Sequence, residues 1–555
     1  MSKKIVEANR ALLADETGRR YPAAGPNRTL VVYPNTYRVA MSNLAFQWLY
    51  HELNTRPGFA AERVVLPDPA LLDEYQRTGA RLLTLEQAWP ASQCGIWFVT
   101  CSFENDYPNL LTLLDLAGIP LRAADRNHSS PLIVLGGPAV MLNPEPMAEF
   151  ADVILLGDGE ATLPPFLDLY ESALPSFDRN DFLERVAAMP FAYAPRFYNP
   201  QTHPRRVIAR AASIDQSATA THLFTPHTEF SDTYLLETFR GCRSRCRFCA
   251  AGHLFLPPRE RTLDESTFTE IDAPTVGLVG AGISQHSQID GWINAAGNRR
   301  VGLSSLRLGA LNSDGLAALV AGGATTVAIA PEAGTDRLRA VCNKGFSNEE
   351  VIDETKRLIG AGLQNLKLYF MVGLPTESAD DVAGIAALTI AVRDAAMTIW
   401  KQRGRAGTIN ASVNPFVPKA FTPFQWAPFI TKTDYNRIRK NLQRTLGREP
   451  NIDLKFESYR GAQLQAILSL ADRRASELLL AIHREGNLPR ALAQWSVDAK
   501  TLLHELRPAD FVFPWHFIDA GMSDGYLMRE YDKAMRGKTS APCMDGCNRC
   551  GICSA

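Results

Sequence analysis

Seven of the ten cysteines fall in two tight groups whose spacing points to metal-cluster chemistry. Cys242, Cys246 and Cys249 form a CxxxCxxC triplet within ETFRGCRSRCRFCAAGHLF, and Cys543, Cys547, Cys550 and Cys553 lie within CMDGCNRCGIC near the other end. Three soft thiolates on one short loop can bind three irons of a 4Fe-4S cluster and leave the fourth iron open. The alternative for the triplet is a zinc site or three unrelated buried thiols. The tail group suits a second 4Fe-4S cluster, with Gly546 and Gly551 supplying the tight backbone. Its main alternative is a zinc knuckle, although common structural zinc sites separate their ligand pairs by longer loops. The N-terminus, MSKKIVEANRALLADETGRR, has no apolar stretch of the kind that directs export, so closely spaced cysteines suggest ligation rather than disulfides. Cys94, Cys101 and Cys342 are isolated.

The elements that must position the triplet read as repeating βα units. Candidate strands at 234–239, 276–279, 301–308, 326–330, 366–372 and 409–416 alternate with helical patterns, and Ser347 followed by Glu350 is a capping-box signal. Six units predict a partial (βα)6 barrel of the TIM type over residues 231–452, with its reactive end at the C-terminal ends of the strands, where the triplet falls. Residues 1–184 alternate strands at 29–34, 96–101, 132–135 and 153–156 with helices around 41–53 and 110–116. That pattern predicts a doubly wound α/β domain. Residues 185–230 read as a connecting segment, and 453–555 as a small, mainly helical C-terminal region ending in the tail cysteines.

With Phe248 just before its third cysteine, the triplet resembles the signature of the radical S-adenosylmethionine (SAM) superfamily. The resemblance implies that the open iron chelates SAM and that one electron cleaves it to a 5'-deoxyadenosyl radical, supplied by a reducing partner such as flavodoxin or ferredoxin. Gly280, Ala281 and Gly282 stand where such enzymes place a small-residue turn against the SAM amino group, without the acidic residue usual there. APEAGTDRLRAVCNKG and LKLYFMVGLPTES resemble the fourth- and fifth-strand regions of the superfamily. Glu332 and Arg337 are thereby implied as SAM-pocket residues, each with the alternative of a surface cap or salt bridge.

GGPAVMLNPEPMAEFADVILLGDGE, which contains Gly136 and Gly137, resembles the cobalamin-binding domains that precede the barrel in one large radical SAM class. No Asp-x-His-x-x-Gly motif occurs between residues 1 and 230 to supply an axial imidazole. Either cobalamin is held without a protein histidine, or the domain keeps the fold without the cofactor. The whole arrangement resembles a radical SAM family with a cobalamin-binding-domain-like N-terminus and a C-terminal cysteine cluster.

The 555 residues, 46% hydrophobic and 21% charged, are enough for two or three globular domains. A formal net charge of -1 leaves no global field for nucleic acid or an anionic membrane. No membrane span is expected, the least polar run being 315–330, and the expected location is cytoplasmic. Arg240, Arg243, Arg245, Arg247, Arg259 and Arg261 crowd the triplet and either bind an anionic substrate or pair with acids. The functional expectation is a radical SAM enzyme acting on a substrate the sequence does not name, with no catalytic residue assigned beyond the cofactor ligands. Cobalamin-assisted methylation is one outcome, and modification of RNA or protein without cobalamin is another. A non-catalytic iron–sulfur electron carrier or scaffold is the reading from a different class.

Overall fold

The computed structural model describes residues 2–19, 21, 25–198, 205–269, 271–303 and 306–554. Part of the expected connecting segment, and residues 304–305 of the expected third barrel strand, lie outside them.

The N-terminal part is a six-stranded sheet in the order Phe59–Val65, Asn27–Tyr33, Ile96–Thr100, Leu132–Gly136, Val153–Leu155, Ala192–Tyr193, parallel except for the last strand. Alternation along the strands divides two cores. Leu30, Val32, Trp97, Val99, Ile133 and Leu135 face one side, while Val31, Tyr33, Phe98 and Val134 face the other. This is the doubly wound architecture the alternation predicts. The edge strand Phe59–Val65 has no counterpart among the expected strands because Glu62 and Arg63 interrupt its apolar run. Both are 1% exposed. Arg63 is neutralised by Glu16 (2.8 Å) and Glu86 (2.6 Å), so a charged pair occupies core positions.

The second part carries the six expected barrel strands, at Thr233–Arg240, Thr275–Gly280, Arg300–Leu303, Thr326–Glu332, Asn365–Val372 and Ile409–Pro415. They form two parallel sets joined at Leu306 N–H, which donates to Ala328 O at 2.9 Å. A seventh parallel strand, Ile452–Phe456, pairs with Ile409–Pro415 and carries the barrel past the expected boundary at residue 452. Leu236, Leu278, Ile329, Leu368 and Val413 point outward under the helices, so the alternate residues line the interior. The capping box at Ser347 and Glu350 opens the helix Asn348–Ala361, and a second, at Ser378 and Asp381, opens Ala379–Arg403. Among the described residues, the latter helix, and not 315–330, is the one long and apolar enough to cross a membrane by length and composition. It packs Val382, Ile385, Leu388, Val392 and Trp400 into the barrel core.

The C-terminal helices do not form a core of their own. Tyr459–Leu470 and Ala475–Glu485 complete the first sheet's core with Ile467, Leu478 and Leu479, and Asn143 Nδ2 donates to Ala471 O at 2.8 Å. The connecting segment is also tied down: Arg206–Val207 pairs with Ile518–Asp519, and Leu223–Phe224 with Thr17–Gly18.

Candidate functional site

The triplet leaves the strand Thr233–Arg240 through Gly241, at φ +85°. A Cβ there would stand 2.5 Å from Phe255 O, so the turn needs glycine for both conformation and space. The loop then folds back, with Cys249 N–H donating to Cys246 O at 3.1 Å and Arg247 N–H to Cys342 O at 3.0 Å. Phe248 packs against Ala333, Leu338, Val341 and Phe416 and anchors the third cysteine.

All three thiols are free, and Cys246 is buried. Burial pushes the Cys246 thiol up to about 12 and that of Cys249 to about 11, with Cys242 adding to both and Cys249 to Cys246. Without a metal to displace their protons, these two stay protonated at neutral pH. A 4Fe-4S cluster takes one thiolate at each of three corners, whereas a single zinc needs sulfurs about 2.3 Å from one centre. Among the described residues, no three Cys, His, Asp or Glu side chains converge tightly enough to hold one metal ion. Three soft sulfur donors on one loop suit the corners of a 4Fe-4S cluster.

Two further groups reach the loop. Gln285 Oε1 accepts from Arg243 N–H (2.9 Å) and lies 3.4 Å from Cys242 Sγ, while its Nε2 donates to Ser244 Oγ (2.7 Å). Glu332 ends the fourth strand at φ +64°, beyond a register shift at Ile329, and pairs with Lys344 Nζ at 3.2 Å. A left-handed conformation at a non-glycine residue marks a constrained position. Burial works against the Lys344 charge, but Glu332 outweighs it and holds the ammonium beside Cys246 and Cys249. Gln285 belongs to no motif that marks it in the sequence, and Lys344 lies within APEAGTDRLRAVCNKG, where nothing in the pattern singles it out. Gly280 and Gly282 sit against the same strand end: Cβ atoms there would stand 2.5 Å from Phe239 O and 2.8 Å from its ring.

Residues 45–195 match the family described as radical SAM proteins, N-terminal, and residues 236–389 the radical SAM superfamily. The chain belongs to the radical SAM superfamily. An uncharacterized protein of Methanocaldococcus jannaschii is 26% identical over 460 residues, covering 81% of this chain and 90% of that protein. Among solved structures, the cobalamin-dependent SAM radical enzyme OxsB with aqua-cobalamin and SAM bound is 13% identical, with a TM-score of 0.46 over 83% of this chain and 71% of that one. SuiB of Streptococcus suis bound to SAM is 12% identical, with a TM-score of 0.30 over 42% and 52%. Membership implies an enzyme with a 4Fe-4S cluster and SAM, served by a reductant.

In this radical SAM chain a largely apolar cavity of about 730 Å³ lies between the C-terminal edge of the first sheet and the barrel interior. Thr100, Gly136 and Trp48 contribute from one side, and Leu235, Glu237 and Gly277 from the other. Gly136 borders open space, and Gly137 takes φ +104° with its Cβ position 2.7 Å from Cys101 O. The order of the first five strands places the switch point between Asn27–Tyr33 and Ile96–Thr100, and ligands in such sheets bind at the strands' C-terminal ends. Among the described residues, no histidine lines the cavity.

The six arginines near the triplet are all engaged. Arg240 binds Glu160 (2.8 Å) and Glu237 (2.6 Å), and Arg259 pairs with Asp158, so the Gly157–Glu160 turn docks the first domain on the barrel. Arg243 reaches Glu260 (3.3 Å) and Asp545 (3.1 Å), Arg247 reaches Glu530 (3.2 Å), and Arg261 donates to three backbone carbonyls. Arg245 contacts Tyr526 and Cys550. Arg337, with its side chain 50% exposed, binds Asp381 and Thr376 O and ties two barrel helices together.

The tail cysteines gather beside the triplet loop. Cys543 N–H donates to Arg243 O at 2.7 Å, and Cys543 and Cys550 are buried while Cys553 is exposed. The guanidinium of Arg549, 3.3 Å from Cys547 Sγ, lowers that thiol from its ordinary value. Burial raises Cys543 and Cys553.

Proposed function

We propose that this chain cleaves SAM reductively and uses the resulting radical to abstract hydrogen from an unreactive position on a substrate held in the cavity. The reading is carried by the CxxxCxxC loop at the C-terminal end of the first barrel strand, with three free thiols, two of them kept protonated until metal takes them. A 4Fe-4S cluster on Cys242, Cys246 and Cys249 supplies an open iron for SAM and one electron for its sulfonium. The chain does the rest. Gly280 and Gly282 let the second strand approach the loop closely enough to admit the SAM amino group, and Glu332 with Lys344 offers a paired charge facing the same space. Arg337 braces the helices behind them. The apolar cavity excludes water from the radical's path.

The test is anaerobic reconstitution with iron and sulfide, followed by dithionite and SAM. 5'-Deoxyadenosine should form, and Cys246→Ala should abolish it. A cluster-loaded protein that neither binds SAM nor releases 5'-deoxyadenosine would instead be an electron carrier or scaffold.

Cobalamin-assisted methylation is the outcome favoured by a cavity at the C-terminal edge of a doubly wound sheet. Among the described residues no histidine lines the cavity, so a corrinoid bound there would be held by the surrounding backbone and apolar side chains and should purify without the spectral signature of a protein histidine ligand. Protein free of corrin after growth with cobalamin, yet active on SAM, points to modification of RNA or protein without it. Cys543, Cys547, Cys550 and Cys553 hold a second 4Fe-4S cluster in this reading. Iron should reach about eight per chain and fall by half when Cys547 and Cys550 are replaced; one stoichiometric zinc with four irons would overturn it.

A further inference from the structure

Arg245 lies between the first two triplet cysteines, yet its side chain points away from them. It is 6% exposed and takes φ +59°. Its Nη1 donates to Cys550 Sγ at 3.4 Å, its Nη2 donates to the Tyr526 hydroxyl, and its own carbonyl accepts from Asn343 Nδ2 at 3.2 Å. Each of the other five nearby arginines meets a carboxylate or a set of backbone carbonyls. Among the described residues no carboxylate forms an ion pair with Arg245; its side-chain partners are a phenol and a thiol. A buried guanidinium cannot shed its proton, and a buried cation without an anion is strongly unfavourable. Its side chain meets the tail cysteines directly, through Cys550 Sγ, and these can supply the negative charge.

We propose that Arg245 is the counter-cation of an anionic iron–sulfur centre held by Cys543, Cys547, Cys550 and Cys553, which fastens that centre to the triplet loop. The inference rests on the reading of the tail as a second cluster site. Four thiolates around a 4Fe-4S core leave net negative charge, and that charge lies against a buried arginine whose side-chain partners are a phenol and a thiol. The surrounding contacts hold the arginine in its constrained backbone. Cys543 N–H binds Arg243 O (2.7 Å), Ser523 N–H binds Cys550 O (2.7 Å), and Ser540 N–H binds Asn343 Oδ1 (2.7 Å), so both sides of Arg245 are tied to the tail. His253, buried with its Nε2 at 3.1 Å from Cys246 O and its ring 6.5 Å from that of Tyr526, fills the space between the two cysteine groups.

Potentials of such centres follow net charge and hydrogen bonds to sulfur. Removing the Arg245 charge makes the reduced, more negative state less favourable. Reconstituted full-length protein, Arg245→Met, Arg245→Lys and Tyr526→Phe would be compared by iron content and by EPR-monitored redox titration with dithionite. Cys246→Ala protein, which keeps only the tail centre, assigns its signal. In Arg245→Met the tail signal should move to a lower potential and the chain should lose iron towards four per molecule on gel filtration. Arg245→Lys should keep most of the potential, and Tyr526→Phe should keep the iron. The wild-type chain holding only four irons, or zinc at the tail, defeats the second-cluster reading itself. Eight irons with an unmoved potential and undiminished retention in Arg245→Met defeats the inference alone.

Discussion

At the scale of single residues, the triplet is legible because three thiols at fixed spacing constrain chemistry locally. Gln285 is not, because its amide reaches Arg243 N–H only once the turn after the second strand is packed against the first. The arginines are ambiguous in sequence for the same reason: Glu160 lies 80 positions from Arg240, and Asp545 lies 302 from Arg243. Glu332 and its partner Lys344 lie in the same motif, but only the fold shows that they pair. Their ion pair is largely withdrawn from water, so removing one member strands the other. Lys344→Met should lower stability by about 3 kcal/mol, and adding Glu332→Gln should recover a large part of it. A double-mutant cycle by thermal denaturation measures the coupling. If the double variant is as unstable as the sum of the singles, the pair is not the stabilising unit.

Among elements, periodicity locates the barrel strands and the capping box at Ser347 and Glu350 locates the start of Asn348–Ala361, since both patterns are written in neighbouring residues. The strand Phe59–Val65 escapes because the charge of Arg63 is cancelled from Glu16 and Glu86, which no local pattern connects to it. The seventh strand, Ile452–Phe456, escapes because only Ile452, Leu454 and Phe456 alternate, with Asp453 and Lys455 between them, over five residues. The turn after the fifth strand is set by a carboxylate: Glu377 Oε1 accepts from Gly373 N–H at 3.0 Å, with Gly373 at φ +84°. Burial pushes Glu377 up to about 7, against the backbone hydrogen bonds that favour its charge. Because the folded value lies above the unfolded one of about 4.3, this group's contribution to stability is present at acid pH and is lost as pH rises through about 7. Glu377→Gln keeps an acceptor oxygen and removes the titration. The wild-type melting temperature should decline between pH 5 and pH 8 by a component the variant lacks, and parallel curves from scanning calorimetry would show that Glu377 does not titrate in this range.

The whole molecule is assembled by contacts that sequence order hides. The C-terminal helices read as a region of their own, yet their apolar faces complete the first sheet, and the tail returns to the triplet loop. The seam between the first domain and the barrel is a charge network in which Arg240 binds both Glu160 and Glu237 while Arg259 binds Asp158. Burial alone would raise Glu160, but its hydrogen bonds to Arg240 prevail and hold the carboxyl down at about 2. Its folded value is thus below the unfolded one, so this stabilisation is present above about pH 4.3 and is lost as pH falls towards about 2. The seam also walls the cavity, since Glu160, Glu237 and Arg240 all line it. Arg240→Met leaves two partly buried carboxylates facing each other without a cation, at a cost of about 3 kcal/mol or more. The change should lower the melting temperature and raise hydrogen exchange in 157–160 and 233–240 together, while the helices on the far side of the barrel keep their protection. Uniform loss of protection would mean that Arg240 supports the barrel as a whole. Unchanged exchange in both segments would mean that the two domains are held by their apolar contacts alone.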